Sequence, residues 1–145
     1  MKKLLCLIFI IIAINLSACG GNIKNVNVID IESEIYSSDD IDIESEIYSS
    51  DDIDSAIRII TEDFDKNWKG CTLKEIYYAG DEISSDHQDW ADRNDADEVI
   101  VLLSSFDVDS SGGDGSLNPN STYDDWNWIL VRSNGGQWKH VDHGY

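Results

Sequence analysis

Hydrophobic positions divide this chain into three stretches of different character. Residues Leu4 to Ala13 form one unbroken apolar run. Polar and acidic residues then dominate up to about residue 52. Beyond that point the apolar residues become periodic. Ile53, Ile57, Ile60 and Phe64 recur at helical spacing and share one face, which predicts a long helix. Ser49 or Ser50 can cap it, Asp51, Asp52 and Asp54 suit its positive end, and Gly70 stops it. Cys71 to Tyr78 reads as a strand. A short second helix follows, with Ser85 and Gln88 spaced as a capping box and Trp90 turned inward. Val99–Phe106 is continuously apolar, as a strand buried on both faces would be. In Trp126–Val131 alternate residues divide between two faces. Asn134-Gly135-Gly136 makes a tight turn into a last strand, Gln137–Asp142. The order is helix, strand, helix and three strands of an antiparallel sheet. About 95 residues suffice for one modest core, so the class is α+β with a single domain over residues 50–145.

The apolar run at the start carries a second signal. Lys2 and Lys3 precede it, and it ends in Leu16-Ser17-Ala18-Cys19 followed by Gly20 and Gly21. A basic start, a short apolar segment, small residues and then a cysteine is the layout of a bacterial lipoprotein signal. In that reading residues 1–18 are removed, the sulfur of Cys19 takes a diacylglycerol, and acyl chains of the palmitate class hold the chain on the extracytoplasmic face of the cell membrane. An ordinary secretory signal is the competing reading and also implies export. The run falls short of the ~20 residues that span a bilayer.

Processing sharpens the charge. The full chain carries −19; loss of Lys2 and Lys3 leaves eight basic residues against 29 acids, a net −21. Such a chain avoids nucleic acid and is repelled by anionic headgroups, whereas cations and basic partners are attracted. Cys6 leaves with the signal and Cys19 is lipidated, so Cys71 stands alone and no intrachain disulfide can form. A lone cysteine reads first as a small buried apolar residue. Residues 29–40 and 41–52 are identical copies of IDIESEIYSSDD. Two copies are too few for a solenoid. Residues 20 to about 48 therefore read as a flexible acidic spacer that holds the folded part away from the membrane. The whole stretch 19–49 is then lipidated N-terminus plus spacer.

The arrangement closing on Gln137-Trp138-Lys139-His140-Val141-Asp142-His143-Gly144-Tyr145 resembles the nuclear-transport-factor-2-like fold, also called cystatin-like or ketosteroid-isomerase-like. That resemblance implies a long N-terminal helix packed across a curved antiparallel sheet to make a cone, and pairing through the sheet into a dimer. Residues 50–145 are also similar to a group of small, uncharacterised lipoproteins of low-GC Gram-positive bacteria. The stretches that carry this are Lys69-Gly70-Cys71-Thr72-Leu73, Asp97-Glu98-Val99-Ile100-Val101-Leu102-Leu103-Ser104-Ser105-Phe106 and Trp126–Arg132. This second resemblance implies location and fold but no activity.

Three constellations are candidates for chemistry. In the long loop after Phe106, Asp107, Asp109 and Asp114 offer a loose calcium site. Asn118 stands where an EF-hand needs a chelating Glu, so a true EF-hand is excluded. A loop rich in Gly, Ser and Asp is equally a good turn former. Trp126, Trp128 and Trp138, with Trp90, suit the wall of a ligand pocket at the mouth of a cone, or else its core. The third is the set His140, Asp142 and His143, in which His140 and Asp142 project to one side of a regular strand, which suits an Asp-oriented histidine base. Two functions follow. The first is a binding or interaction module for a small ligand or an envelope protein. The alternative is a small isomerase- or dehydratase-like enzyme working through His140 and Asp142.

Overall fold

The structure, a computed structural model, describes residues 20–23, 26–28 and 45–145. The signal segment, Cys19 and the whole first copy of the repeat lie outside the described residues. The class is α+β. Strand β1 (Asn27–Val28) precedes helix α1 (Ser50–Asn67) and strand β2 (Cys71–Tyr78). Two short helices follow, α2 (Asp81–Asp86) and α3 (Gln88–Arg93), then strands β3 (Glu98–Val108), β4 (Thr122–Arg132) and β5 (Lys139–Gly144). The five strands form one sheet in chain order. β2 to β5 pair antiparallel, and β1 joins β2 in parallel. The sheet is therefore mixed, where the sequence pattern predicts a purely antiparallel one.

The apolar stripe of α1 explains one layer. Ile53, Ala56, Ile57, Ile60 and Phe64 are all buried. They pack on Leu73, Ile76, Ile100, Leu102, Phe106, Trp128 and Leu130 from one face of the sheet. Ser49 caps the helix and forms a capping box with Asp52. The opposite face is covered by α2 and α3. There Ala91, Val99, Val101, Ile129 and Val131 form a second, smaller cluster with Ile83 and Trp90 at its margin. β3 is buried from both sides, and this is why its sequence is apolar at successive rather than alternate positions.

Three local expectations are corrected. Ser85 lies inside α2, where its hydroxyl donates to the Asp81 carbonyl at 2.7 Å, so the capping box with Gln88 does not form. Two helices of one to two turns replace the single one. Residues 20–23 and 26–28 do not stand off as a spacer. Gly21 N–H donates to the Phe64 carbonyl (2.9 Å), Asn22 N–H to Cys71 (2.8 Å), and Leu73 N–H to Asn22 (2.9 Å). Ile23 and Val26 pack against the main core. The second repeat copy is also partly absorbed. Ser45 Oγ and Glu46 N–H both donate to the Asp81 carboxylate, and the buried Tyr48 hydroxyl donates to the Val99 carbonyl at 2.7 Å.

Arg132, at the end of β4, ties these layers together. Its guanidinium makes a two-pronged contact with Glu98 on β3 (2.7 and 3.0 Å) and a third bond to Asp52 at the start of α1. It lies over the Trp138 ring at 4.2 Å, and the Trp138 indole donates to the Asp52 carbonyl. The guanidinium, helped by Ser49, holds the Asp52 carboxyl down at about 2.

Arg132→Met strands two half-buried carboxylates, and a loss of about 3 kcal/mol in urea unfolding is expected. Because the folded pKa of Asp52 lies below its ordinary 3.8, the folded state binds fewer protons there. This contribution is complete above pH 4 and is lost as pH falls through about 2. Over that window Asp52→Asn should lose stability less steeply than the unaltered chain. Deleting residues 29–40 gives the same sequence as deleting 41–52, so the surviving copy still supplies the residues equivalent to Ser45, Tyr48, Ser49 and Asp52. The melting temperature should therefore stay within about a degree, since every packed group among the described residues is retained. A fall of several degrees would show that the first copy packs on the fold.

Candidate functional site

One irregularity in β5 shapes the site. Ile129 stands opposite Asp142 and Leu130 opposite His140, so Val141 is an extra residue in the ladder. A bulge of this kind breaks the two-residue alternation. It leaves His140 and His143 on the α1 side, against Trp128, at ring separations of 5.4 and 5.3 Å. Asp142 is set opposite Ile129, whose side chain belongs to the other face. The predicted pairing of the Asp142 carboxylate with His140 is thus not formed. His140 Nε2 meets the backbone carbonyl of Asp142 instead, at 3.1 Å.

The groups that do approach His140 come from elsewhere. His143 Nδ1 lies 3.3 Å from His140 Nε2, and the Asp63 carboxylate, on α1, lies 4.0 Å from His140 Nδ1. Burial pushes the His140 pKa below its ordinary 6.5, and His143 pushes the same way against the pull of Asp63. His140 is therefore neutral at pH 7, and its contact with Asp63 is not an ion pair there. The Asp142 carbonyl only accepts, which places the proton of neutral His140 on Nε2.

Around these rings runs an aromatic seam. Trp68 closes α1 as its C-cap, stacked on Phe64 with ring centroids 5.3 Å apart. It meets Trp126 edge-on at 6.0 Å and Trp128 at 4.8 Å. Trp128 is fully buried, and its indole donates to the buried Ser104 hydroxyl at 2.8 Å. It fills the interior. Space remains at one end of the molecule, a half-open cleft of about 620 Å³ between Asp63, Trp68, Asp114, Trp126, His140 and His143. This volume suits a small ligand. Trp126 contributes the unusual feature. Its indole nitrogen is, among the described residues, the buried side-chain nitrogen or oxygen without a hydrogen-bond partner. A buried donor left unpaired costs about 1–3 kcal/mol, so an acceptor reaching it gains that much.

The predicted site residues are thus divided. Trp126 and His140 line the cleft. Trp128 is core. Trp138 borders a second, shallower groove of about 470 Å³ beside Ile59 and Lys66. Trp90 lies on the far face with Arg93 over its ring at 5.0 Å. His143, the third member of the His140, Asp142 and His143 set, also lines the cleft, as does Trp68, which was not singled out. Trp68 continues the Ile53–Phe64 stripe by one more helical step, which was the available signal.

The acidic loop does not assemble a cage. Asp107 lies within β3, bonded to Lys74 (2.8 Å) and Thr122 (2.8 Å). Asp109 accepts from Ser111 N–H at 2.7 Å, and Asp114 from Ser116 N–H at 3.0 Å. Asp109 and Asp114 are each spent on their own turn and Asp107 on its neighbours across the sheet, and no group of three or more metal-ligating side chains is brought together among the described residues. Cys71 is buried, and burial with Asp109 and Asp114 nearby raises its thiol to about 11, so it stays protonated at neutral pH.

In a pH titration by NMR, His140 should change charge below 6.5. Asp63→Asn removes the charge that favours its protonated form and should move the midpoint lower still, whereas His143→Gln should raise it. Because the folded pKa is depressed, this histidine costs stability as pH falls from 6.5 through the folded midpoint. An unmoved midpoint in Asp63→Asn would contradict the arrangement. No family profile, no curated protein and no solved structure matches this chain.

Proposed function

We propose that the mature chain is a membrane-anchored extracytoplasmic lipoprotein that acts as a binding module, and that its ligand occupies the cleft beside Trp126. The observation that carries the binding reading is Trp126, which lines the cleft and whose indole N–H is buried without a protein acceptor. A ligand that fits offers an acceptor oxygen to this N–H and a flat or apolar body to Trp68 and the imidazoles. Acidic Asp63 and Asp114 at the rim disfavour anions. The layout from Lys2 to Gly21 supports the anchor. At the level of fold, α1 laid across one face of the sheet supports the cone-shaped, cystatin-like reading. The alternative, an isomerase- or dehydratase-like enzyme, relied on the His140–Asp142 couple. With Asp142 opposite Ile129 that couple has no geometric support.

Two measurements test the proposal. Fragments carrying an amide, carbonyl or sulfoxide oxygen should bind and shift the Trp126 indole resonance. Trp126→Phe should weaken them about tenfold, the worth of one hydrogen bond. The same substitution breaks no protein hydrogen bond and should cost less than about 1 kcal/mol of stability. Trp128→Phe breaks the Ser104 bond and opens the core, at about 2–3 kcal/mol. Fragments bound equally well by both chains would remove the cleft from the account. For the anchor, Cys19→Ser should move the protein from membranes into the medium or leave its signal uncleaved. Unchanged fractionation and lipid labelling would refute it.

A further inference from the structure

The first described residues follow Cys19 directly and are bound into the fold. Gly21 is hydrogen-bonded to the Phe64 carbonyl, Asn22 to Cys71 and Leu73, and Asn27–Val28 lie in the sheet beside Glu75 and Ile76. Two neighbouring glycines make this approach feasible. A Cβ at residue 21 would stand 2.6 Å from the Phe64 carbonyl and ring, and one at residue 20 would collide with the Asp65 carbonyl. Gly20, the residue that follows Cys19 in the chain, therefore lies against the last turns of α1. Asp63 and Asn67, in those same turns, line the cleft.

Connectivity adds a second consequence. In sequence, residues 29–44 join the end of β1 to Ser45. β1 runs parallel to β2 toward Tyr78, and Ser45 is bonded to Asp81 just beyond that strand. The first repeat copy follows the docked segment in the chain, so it is not interposed between Cys19 and the first contacts with the fold.

We propose that the lipid on Cys19 mounts the folded unit directly on the membrane surface, with the C-terminal end of α1 and the cleft beside it at headgroup level, and that the first repeat copy is not a spacer. This rests on the lipid anchor proposed above. The surface that meets the membrane is the end of α1 with the adjoining turn. It carries Lys66 and Lys69, two of the eight basic residues of the mature chain, beside Asp63 and Asp65. Asp109 and Asp114 stand beside the same turn, so this end is acidic, and the lipid rather than headgroup charge holds it at the surface. A ligand for the cleft is then taken from the membrane–water boundary rather than from open solvent.

Neutron reflectometry on the full lipidated protein in a supported bilayer measures the height of the folded unit. Mass spectrometry of the N-terminal peptide establishes the lipid on Cys19 in the same sample. The expected result is protein density abutting the headgroups, unchanged by deletion of residues 29–40. Twelve Gly/Ser residues inserted between Cys19 and Gly20 should lift it by about 20 Å. Gly21→Val, which removes the docking without touching the lipid, should also lift it. A water gap of about 25–30 Å that shrinks on deleting 29–40 is what a free 25-residue spacer gives, and would overturn the proposal. Absence of the lipid would overturn the mount together with the anchor. Protection of the Leu73 amide from exchange, measured in the Cys19→Ser chain, separates the two failures. Protection with no lipid faults the anchor alone, and an unprotected Leu73 amide faults the docking.

Discussion

The fold depends on burying both faces of β3. Val99, Ile100, Val101 and Leu102 are successive and all below 2% exposed, so a cover is needed on each side of the sheet. α1 supplies one and α2–α3 the other. The helical covers set what the remaining parts can do. On the α1 side, the distance between helix and sheet is filled by Phe64, Phe106 and Trp128, which meet edge-to-face. Burial of each such ring contributes roughly 2–3 kcal/mol. Once Trp128 occupies the centre, the cleft lies past the end of the helix, where Trp68 and Trp126 stand. The cleft is thus a by-product of how the core is filled, and the chemistry in its wall belongs to the residues at that end.

Arg132 serves a complementary role at the opposite end of α1. A single guanidinium spans β4, β3 and the helix start, and two aromatic rings shield it. Arginine suits this because its planar fork meets one carboxylate with two bonds and still has a donor for a second. Both ends of the helix are therefore fixed, one by charge and one by aromatic stacking and the docked N-terminal segment. Between them the imidazoles of β5 are held in place by the Val141 bulge.

The sequence made much of this legible. The stripe Ile53–Phe64, the Ser49 cap and the two-sided burial of β3 are local patterns, and local patterns survive folding. Three features were hidden for identifiable reasons. Val26 and Val28, alternating with Asn25 and Asn27, carry a strand signal, but it is two residues long and sits next to a strongly acidic repeat. The pairing of Arg132 with Asp52 joins residues 80 apart and leaves no trace in spacing. The bulge at Val141 cannot be read from alternation, because alternation assumes its absence. That one extra residue turned an apparent Asp142–His140 couple into a His140–His143 pair. The tryptophans show the same limit from another side. Composition grouped them, whereas the fold assigned Trp128 to the core, Trp138 to the Arg132 clamp, Trp90 to the far face and Trp126 to the cleft, beside Trp68.

The most direct test of this account is the solvent exchange of the five indole N–H protons, followed by NMR in one sample. If Trp128 fills the interior and the cleft lies beside Trp126, the Trp128 proton, bonded to Ser104, should exchange slowest, at a rate set by global unfolding. The Trp126 proton should exchange orders of magnitude faster, through the cleft. Comparable rapid exchange at Trp128 and Trp126 would mean that water reaches the centre of the sheet face, and the filled core described here would be wrong.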